Sequence, residues 1–432
     1  MIKLLPRTGF SRNVLTLITG TVISQIIGLL AIPVITRLYA PDDYGIFTRF
    51  QGIVTVAAVL ITCGYDRMLV LPKKKKDTIN LFALAFIITL SVSFILLILI
   101  VLVPKTLEKL INTEGFSHWL IFLPASIFLA GIFQILENYS LRRKDYKKLR
   151  TGLISQNFTK VSVNIGLGFK LLIKGGLIWG YLAGQFIVIT ILLSKRLKAL
   201  VFNIRKHFSL RYCFEMAKKY RKIALPLLSS NFVGSLTVYM PAFILSTYIA
   251  GIYSMSFNVV NLPVLMIGKA LSDVSYKHTI DVINSNNSLA EYIERIIARL
   301  IVFAFLPVLF LGLFAQPAFV FLLGEKWRMT GLFIQILLPY FFFRFISTPI
   351  NVFVQTGKTY LLLIWQIIFF SLTVSSLLTG KIFQFSPTAC VILLSVSNSL
   401  SYFILMILNM KITGAKFSNI LHQIIRIIRM QQ

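Results

Sequence analysis

The 432-residue chain is 57% hydrophobic and only 13% charged, with a mean hydropathy of +0.82, whereas soluble domains carry about 25% charged residues. So little polar surface cannot cover a chain of this size in water, which excludes an ordinary soluble enzyme. Its 44 Lys+Arg against 14 Asp+Glu give a net charge of +30. In so apolar a chain that excess belongs to loops beside a membrane and to anionic lipid headgroups, not to a nucleic-acid site.

Windows of about 20 mainly apolar residues, the length that crosses the hydrocarbon, predict an all-α membrane protein of twelve spans. They fall at 13–37, 45–72, 78–103, 118–140, 151–173, 177–194, 223–249, 252–273, 296–323, 331–354, 361–379 and 388–410. Lys3, Arg7 and Arg12 precede the first apolar run, but no small-residue cleavage site follows, so this run is expected to be retained as a span. With the N-terminus placed in the cytoplasm, the inside segments hold 30 Lys+Arg and the outside segments 6. This asymmetry predicts a multi-pass protein with both termini cytoplasmic. Cys63, Cys213 and Cys390, and the four histidines, are scattered; no metal site, disulfide or cofactor is expected.

The longest basic inside segment, 195–222, lies near the chain midpoint and separates six spans from six. The predicted organisation is therefore an N-terminal lobe at 1–194, a basic cytoplasmic linker at 195–222, a C-terminal lobe at 223–410 and a basic amphipathic tail at 411–432. The lobes echo each other. Gly45-Ile46-Phe47, after the first span, recurs as Gly251-Ile252-Tyr253 about 206 residues later. An even number of spans per half makes such a repeat parallel, an arrangement of transporters. The tail, with Ile420, Ile424, Ile427, Arg426 and Arg429, is expected to lie along the inner interface.

Ionisable groups inside spans cost at least ~2.5 kcal/mol at a helix centre and mark functional positions. Lys160 and Arg344 fall near the middle of spans five and ten, with no acid within four residues on their own helices. Lys160 shares a helical face with Asn157 and Asn164, and Arg344 with Thr348, Asn351 and Gln355. A third polar stripe runs through Asn258, Asn261 and Lys269 to Asp273, where Lys269 and Asp273 have the spacing of an ion pair. Arg49 lies toward the outer end of span two. Asp66, Glu137 and Asp273, all near the inner face, are the buried acids available for coupling to a proton or sodium ion.

Three stretches carry a family resemblance. Arg12-Asn-Val-Leu leads into span one, Arg37 precedes the turn Pro41-Asp-Asp-Tyr-Gly45-Ile-Phe, and Gly64-Tyr-Asp-Arg-Met-Leu-Val-Leu-Pro72 precedes a lysine run. With the span count and midpoint linker, they resemble Wzx-type polysaccharide flippases of the MATE-like exporter superfamily. The resemblance implies two six-helix lobes in a V around a central cavity, in the bacterial cytoplasmic membrane. It also implies alternating access that moves undecaprenyl-pyrophosphate-linked oligosaccharide units to the outer leaflet for O-antigen or capsule assembly. Its implied partners are the lipid-linked glycan and membrane lipids, with a glycan polymerase or chain-length regulator as candidate protein partners. Lys160, Arg344, Arg49 and Lys269 would then face anionic phosphate, which Arg grips bidentately and Lys meets as a point charge. Asn157, Asn164, Asn258, Asn261, Thr348 and Asn351 would meet sugar hydroxyls.

Two other readings remain open. A MATE-type ion-coupled drug exporter shares the fold, but cationic substrates want buried carboxylates, and span ten offers Arg344 in their place. A membrane glycan polymerase or ligase would need a sizeable outer loop, and the longest here, 104–117, is short. The adjacent acids Asp42-Asp43 fit a turn beside Gly45 better than a catalytic pair.

Overall fold

The computed structural model describes residues 9–102, 116–169, 175–194, 197–284, 288–353, 355–356, 358 and 360–429, without the side chains of residues 9–18 and 117 and of part of 269–284. The regular elements among them are helical, as lipid surroundings demand, because a helix satisfies its own backbone polar groups. The chain forms two compact units, Met1–Tyr239 and Met240–Gln432. Unit 1 contains α1 (Gly9–Leu38), α2 (Pro41–Ile61), α3 (Lys75–Leu102), α4 (Phe122–Arg142), α5 (Tyr146–Phe169), α6 (Gly176–Leu193), α7 (Leu197–His207) and most of α8 (Leu210–Ile244). Unit 2 contains α9 (Thr247–Asn284), α10 (Leu289–Leu323), α11 (Arg328–Ser347), α12 (Tyr360–Ile382), α13 (Pro387–Thr413) and α14 (Phe417–Arg429).

Among the described residues, eleven helices are long and apolar enough to cross a membrane. The fifth predicted span, α5, has the length but not the composition: Gln156, Asn157, Lys160 and Asn164 interrupt it. It packs along both α1 and α6, so these polar groups meet protein.

Two predicted spans are broken. In span two, α2 ends at Ile61, Gly64 adopts φ +75°, and a short helical turn, Tyr65–Met68, follows. A Cβ at Gly64 would also stand 3.0 Å from the Ala224 carbonyl oxygen, so conformation and space both reserve the position for glycine. Span ten stops at Ser347, seven residues before its predicted end. Pro349 lacks the N–H needed to extend the helix. The chain beyond stays buried as irregular backbone: the Val352 N–H donates to Asn409 Oδ1 at 3.0 Å and the Phe353 N–H to Asn351 Oδ1 at 3.2 Å. Such backbone survives at membrane depth only when protein satisfies it.

Within the basic segment 195–222, α7 and the start of α8 are joined at Phe208-Ser209 and fold onto the rest of unit 1. Asn80, fully buried, donates to the His207 carbonyl at 2.9 Å and accepts from the Ser209 N–H at 3.0 Å. Tyr212 donates to Asp77 at 2.8 Å, and Tyr65 to the Ala217 carbonyl at 3.1 Å. The tail forms α14, which docks on α10 through Ile420, Ile424 and Ile427.

The sequence echo has a structural counterpart. The break between α1 and α2 at Tyr39-Ala40 recurs between α8 and α9 at Leu245-Ser246, and both pairs lie 206 residues apart. The same offset carries the start of α4, Phe122, onto the start of α11, Arg328.

Candidate functional site

Lys160 occupies the middle of α5. Its position depends on a glycine row on α6, Gly176, Gly180 and Gly184, which lets the two backbones approach closely as in other membrane helix pairs. A Cβ at Gly180 would stand 2.7 Å from the Lys160 carbonyl oxygen, and one at Gly184 would stand 3.3 Å from Lys160 Cβ. The ammonium group lies 5.2 Å from the centre of the Phe47 ring on α2. Phe47 in turn packs edge-on to Tyr181 at 6.3 Å, and Tyr181 accepts from Gln185 at 3.2 Å. Among the described residues no carboxylate pairs with Lys160. Ring faces attract cations by about 0.5–2 kcal/mol without neutralising them.

The two asparagines expected beside Lys160 serve the packing of α5. Asn157 donates to Ser24 on α1, and Ser24 donates to the Leu153 carbonyl at 2.9 Å. Asn164 is 1% exposed; its amide, correctly oriented, donates to the carbonyls of Gly176 at 3.2 Å and Lys160 at 3.1 Å. The Asn164 carbonyl accepts from Tyr39 at 2.7 Å, so this residue joins α1, α5 and α6.

Arg344 lies in the last turn of α11 rather than at mid-span, because the helix ends early. Its guanidinium donates to the Tyr340 hydroxyl at 2.6 Å. It also lies 5.6, 5.7 and 6.0 Å from the ring centres of Phe257, Tyr340 and Tyr402. Tyr253 stacks on Phe257 at 6.1 Å and extends this aromatic box. No carboxylate pairs with Arg344 among the described residues. Thr348 donates to the Arg344 carbonyl at 2.7 Å, and Asn351 falls beyond the helix end, so the expected stripe is not one face of a helix.

Of the remaining predicted residues, Arg49 is 3% exposed within α2. Asn258 and Asn261 are half-buried on α9, and Asn261 Oδ1 has no donor. The side chains of Lys269 and Asp273 lie outside the described residues, as does most of the outer loop 104–117. Asp43 takes the turn role: it accepts from the Ala40 N–H at 3.0 Å.

Asp66 and Glu137 come together. Both line a cavity of about 360 Å³ in unit 1, with Arg67, Gln134, Asn138, Asn231 and several leucines. Asp66 is 5% exposed and accepts from Thr62 at 2.6 Å and from Asn138 at 3.0 Å. Gln134, Asn138 and Asn231 carry no charge inside a span, which is why the sequence reading passed over them. The aromatic partners of Lys160 and Arg344 were equally missed, although Tyr340 stands four residues before Arg344 and was legible.

No curated protein matches the sequence. Among solved structures, an inward-facing multidrug resistance MATE family transporter of the MOP superfamily superposes with TM-score 0.70 at 14% identity, covering 90% of this chain and 94% of that one. The lipid II flippase MurJ in an inward closed conformation gives 0.73 at 13% identity, covering 94% and 89%. A MOP superfamily transporter from Pyrococcus furiosus, described as having a binding pocket of reverse polarity, gives 0.57 at 13% identity, covering 93% and 95%. These likenesses establish the MATE-like membrane fold. The polysaccharide biosynthesis protein family matches residues 34–330, well over half of the sequence, and the chain belongs to that family.

Proposed function

We propose that this chain is a flippase that carries undecaprenyl-pyrophosphate-linked oligosaccharide units across the bacterial cytoplasmic membrane, for O-antigen or capsule assembly, with both termini in the cytoplasm. The observation that carries the reading is that within a predicted span of each unit a basic side chain, Lys160 or Arg344, lies against aromatic faces with no described carboxylate beside it. A charge kept in place but not neutralised is available to an anionic lipid carrier. Arg344 can grip phosphate bidentately and Lys160 can act as a point charge. Membership in a polysaccharide biosynthesis family and a fold shared with a lipid flippase agree with this substrate class.

The test is a leaflet assay in reconstituted vesicles that follows fluorescent undecaprenyl-pyrophosphate glycans. Lys160→Ala and Arg344→Ala should each slow translocation by at least about tenfold, the worth of one charge-assisted hydrogen bond, and Lys160→Arg should be milder. A Lys160→Ala/Arg344→Ala protein, reconstituted in equal amount and flipping at the wild-type rate, would refute the proposal.

A further inference from the structure

The cavity lined by Asp66 and Glu137 has no place in the phosphate argument. We infer that it is a docking site for a sugar residue of the transported glycan; this deepens the flippase reading and rests on it. Its volume of about 360 Å³ is at the small end of the range for ligand pockets, which suits a sugar ring and is far more than a bare ion needs. Asp66, Arg67, Gln134, Glu137, Asn138 and Asn231 reach it from the turn after α2, from α4 and from α8. Carboxylates, amides and a guanidinium supply planar acceptors and donors side by side, and a sugar hydroxyl offers both functions. The Gln134 amide makes no side-chain hydrogen bond among the described residues, so it is available to a ligand.

Three amides, two carboxylates and a guanidinium share the lining, a mixture suited to the uncharged hydroxyls of a sugar. A coupling cation fits less well. Arg67 adds positive charge to the same lining, which disfavours a bare cation beside Asp66. The internal repeat points the same way. The 206-residue offset places Gln134 and Asn138 where unit 2 has Tyr340 and Arg344. The corresponding end of one helix thus carries a phosphate-type group in unit 2 and sugar-type groups in unit 1.

The experiment measures binding of full-length protein in nanodiscs to undecaprenyl pyrophosphate, either bare or carrying glucose, galactose, N-acetylglucosamine or N-acetylgalactosamine. Wild type should hold at least one sugar-bearing lipid more tightly than the bare one. Gln134→Ala and Glu137→Gln on α4, and Leu228→Trp on α8, which fills the cavity, should each cut that preference by about tenfold. Lys160→Ala should weaken both lipids together and keep the ratio. Using two helices prevents a folding defect in either from deciding the result. The inference is overturned if wild type holds every sugar-bearing lipid no tighter than the bare one, or if the variants leave the ratio unchanged. If wild type binds none of these lipids better than it binds phosphatidylglycerol, the flippase reading itself falls.

Discussion

Replacing Gly180 by alanine should cost far more than one methyl group ordinarily does. The added Cβ would overlap the Asn164 amide and stand 2.7 Å from the Lys160 carbonyl oxygen. A side chain can turn away but a backbone carbonyl cannot, so α5 and α6 must separate by several tenths of an ångström. Overpacking of this kind costs about 1–3 kcal/mol. The displaced Asn164 amide also loses its bonds to the Gly176 and Lys160 carbonyls, adding about 1 kcal/mol for each. The expected loss is about 3–5 kcal/mol, reduced to about 2–4 kcal/mol by the ~1 kcal/mol gained when alanine replaces glycine in a helix. Gly166, on α5, provides the control, because a Cβ there meets nothing within 4 Å. Gly166→Ala should be neutral or stabilising by up to ~1 kcal/mol. Thermal unfolding in one detergent, followed by size-exclusion fluorescence, should place Gly180→Ala well below wild type and Gly166→Ala at or above it. If the two variants melt together, the close approach of α5 and α6 does not hold Lys160 in place.

Two further substitutions separate the parts of unit 2. Tyr340→Phe removes the hydroxyl that accepts from Arg344 at 2.6 Å but keeps the ring; it should lower stability by about 1.5–3 kcal/mol, whereas Tyr340→Ala should lose about 3–5 kcal/mol. Equal losses in a thermal melt would mean that the rings do not hold Arg344. Glu294 on α10 is 4% exposed and accepts from the Lys416 N–H at 2.7 Å and Asn419 at 3.0 Å, so it caps the start of α14. Glu294→Ala should raise hydrogen exchange across 417–429 while α11 keeps its protection, consistent with losing about 1–3 kcal/mol of capping; unchanged exchange would refute the capping role.

The fold was legible because the bilayer imposes a simple rule: length and apolarity locate most helices. The rule fails where local chemistry overrides it. Gly64 and Pro349 stop helices inside apolar stretches, and the polar helix α5 meets protein on two sides. The site was less legible, for a related reason. Sequence picks out a charge in a span but not what faces it. Asn164 shares a helical face with Lys160, yet its amide turns to α6 because the glycine row brings two carbonyls within reach. Arg344 was placed at mid-span only because the early end of α11 was not foreseen. Phe47 and Tyr253 formed the visible echo, but nothing in the pattern tied Phe47 to Lys160 or Tyr253 to the box around Arg344.

On the proposed function, the choice of partner for these cations bears on how a carrier would be released. A carboxylate about 4 Å away would attract Lys160 or Arg344 by roughly 4 kcal/mol at an effective dielectric of 20. That pair would have to be broken each time a phosphate bound, and its re-formation would compete with the next substrate. Ring faces contribute about 0.5–2 kcal/mol and carry no net charge, so they position the cation while leaving its field intact. On the proposed function, an arriving pyrophosphate would gain attraction without first displacing an anion. On the proposed reading, a sugar bound among Asp66, Gln134 and Glu137 would supply selectivity through residues other than those that meet the phosphate. In that reading, separating the cations from the hydrogen-bonding pocket would let glycan recognition and phosphate attraction be tuned by different residues.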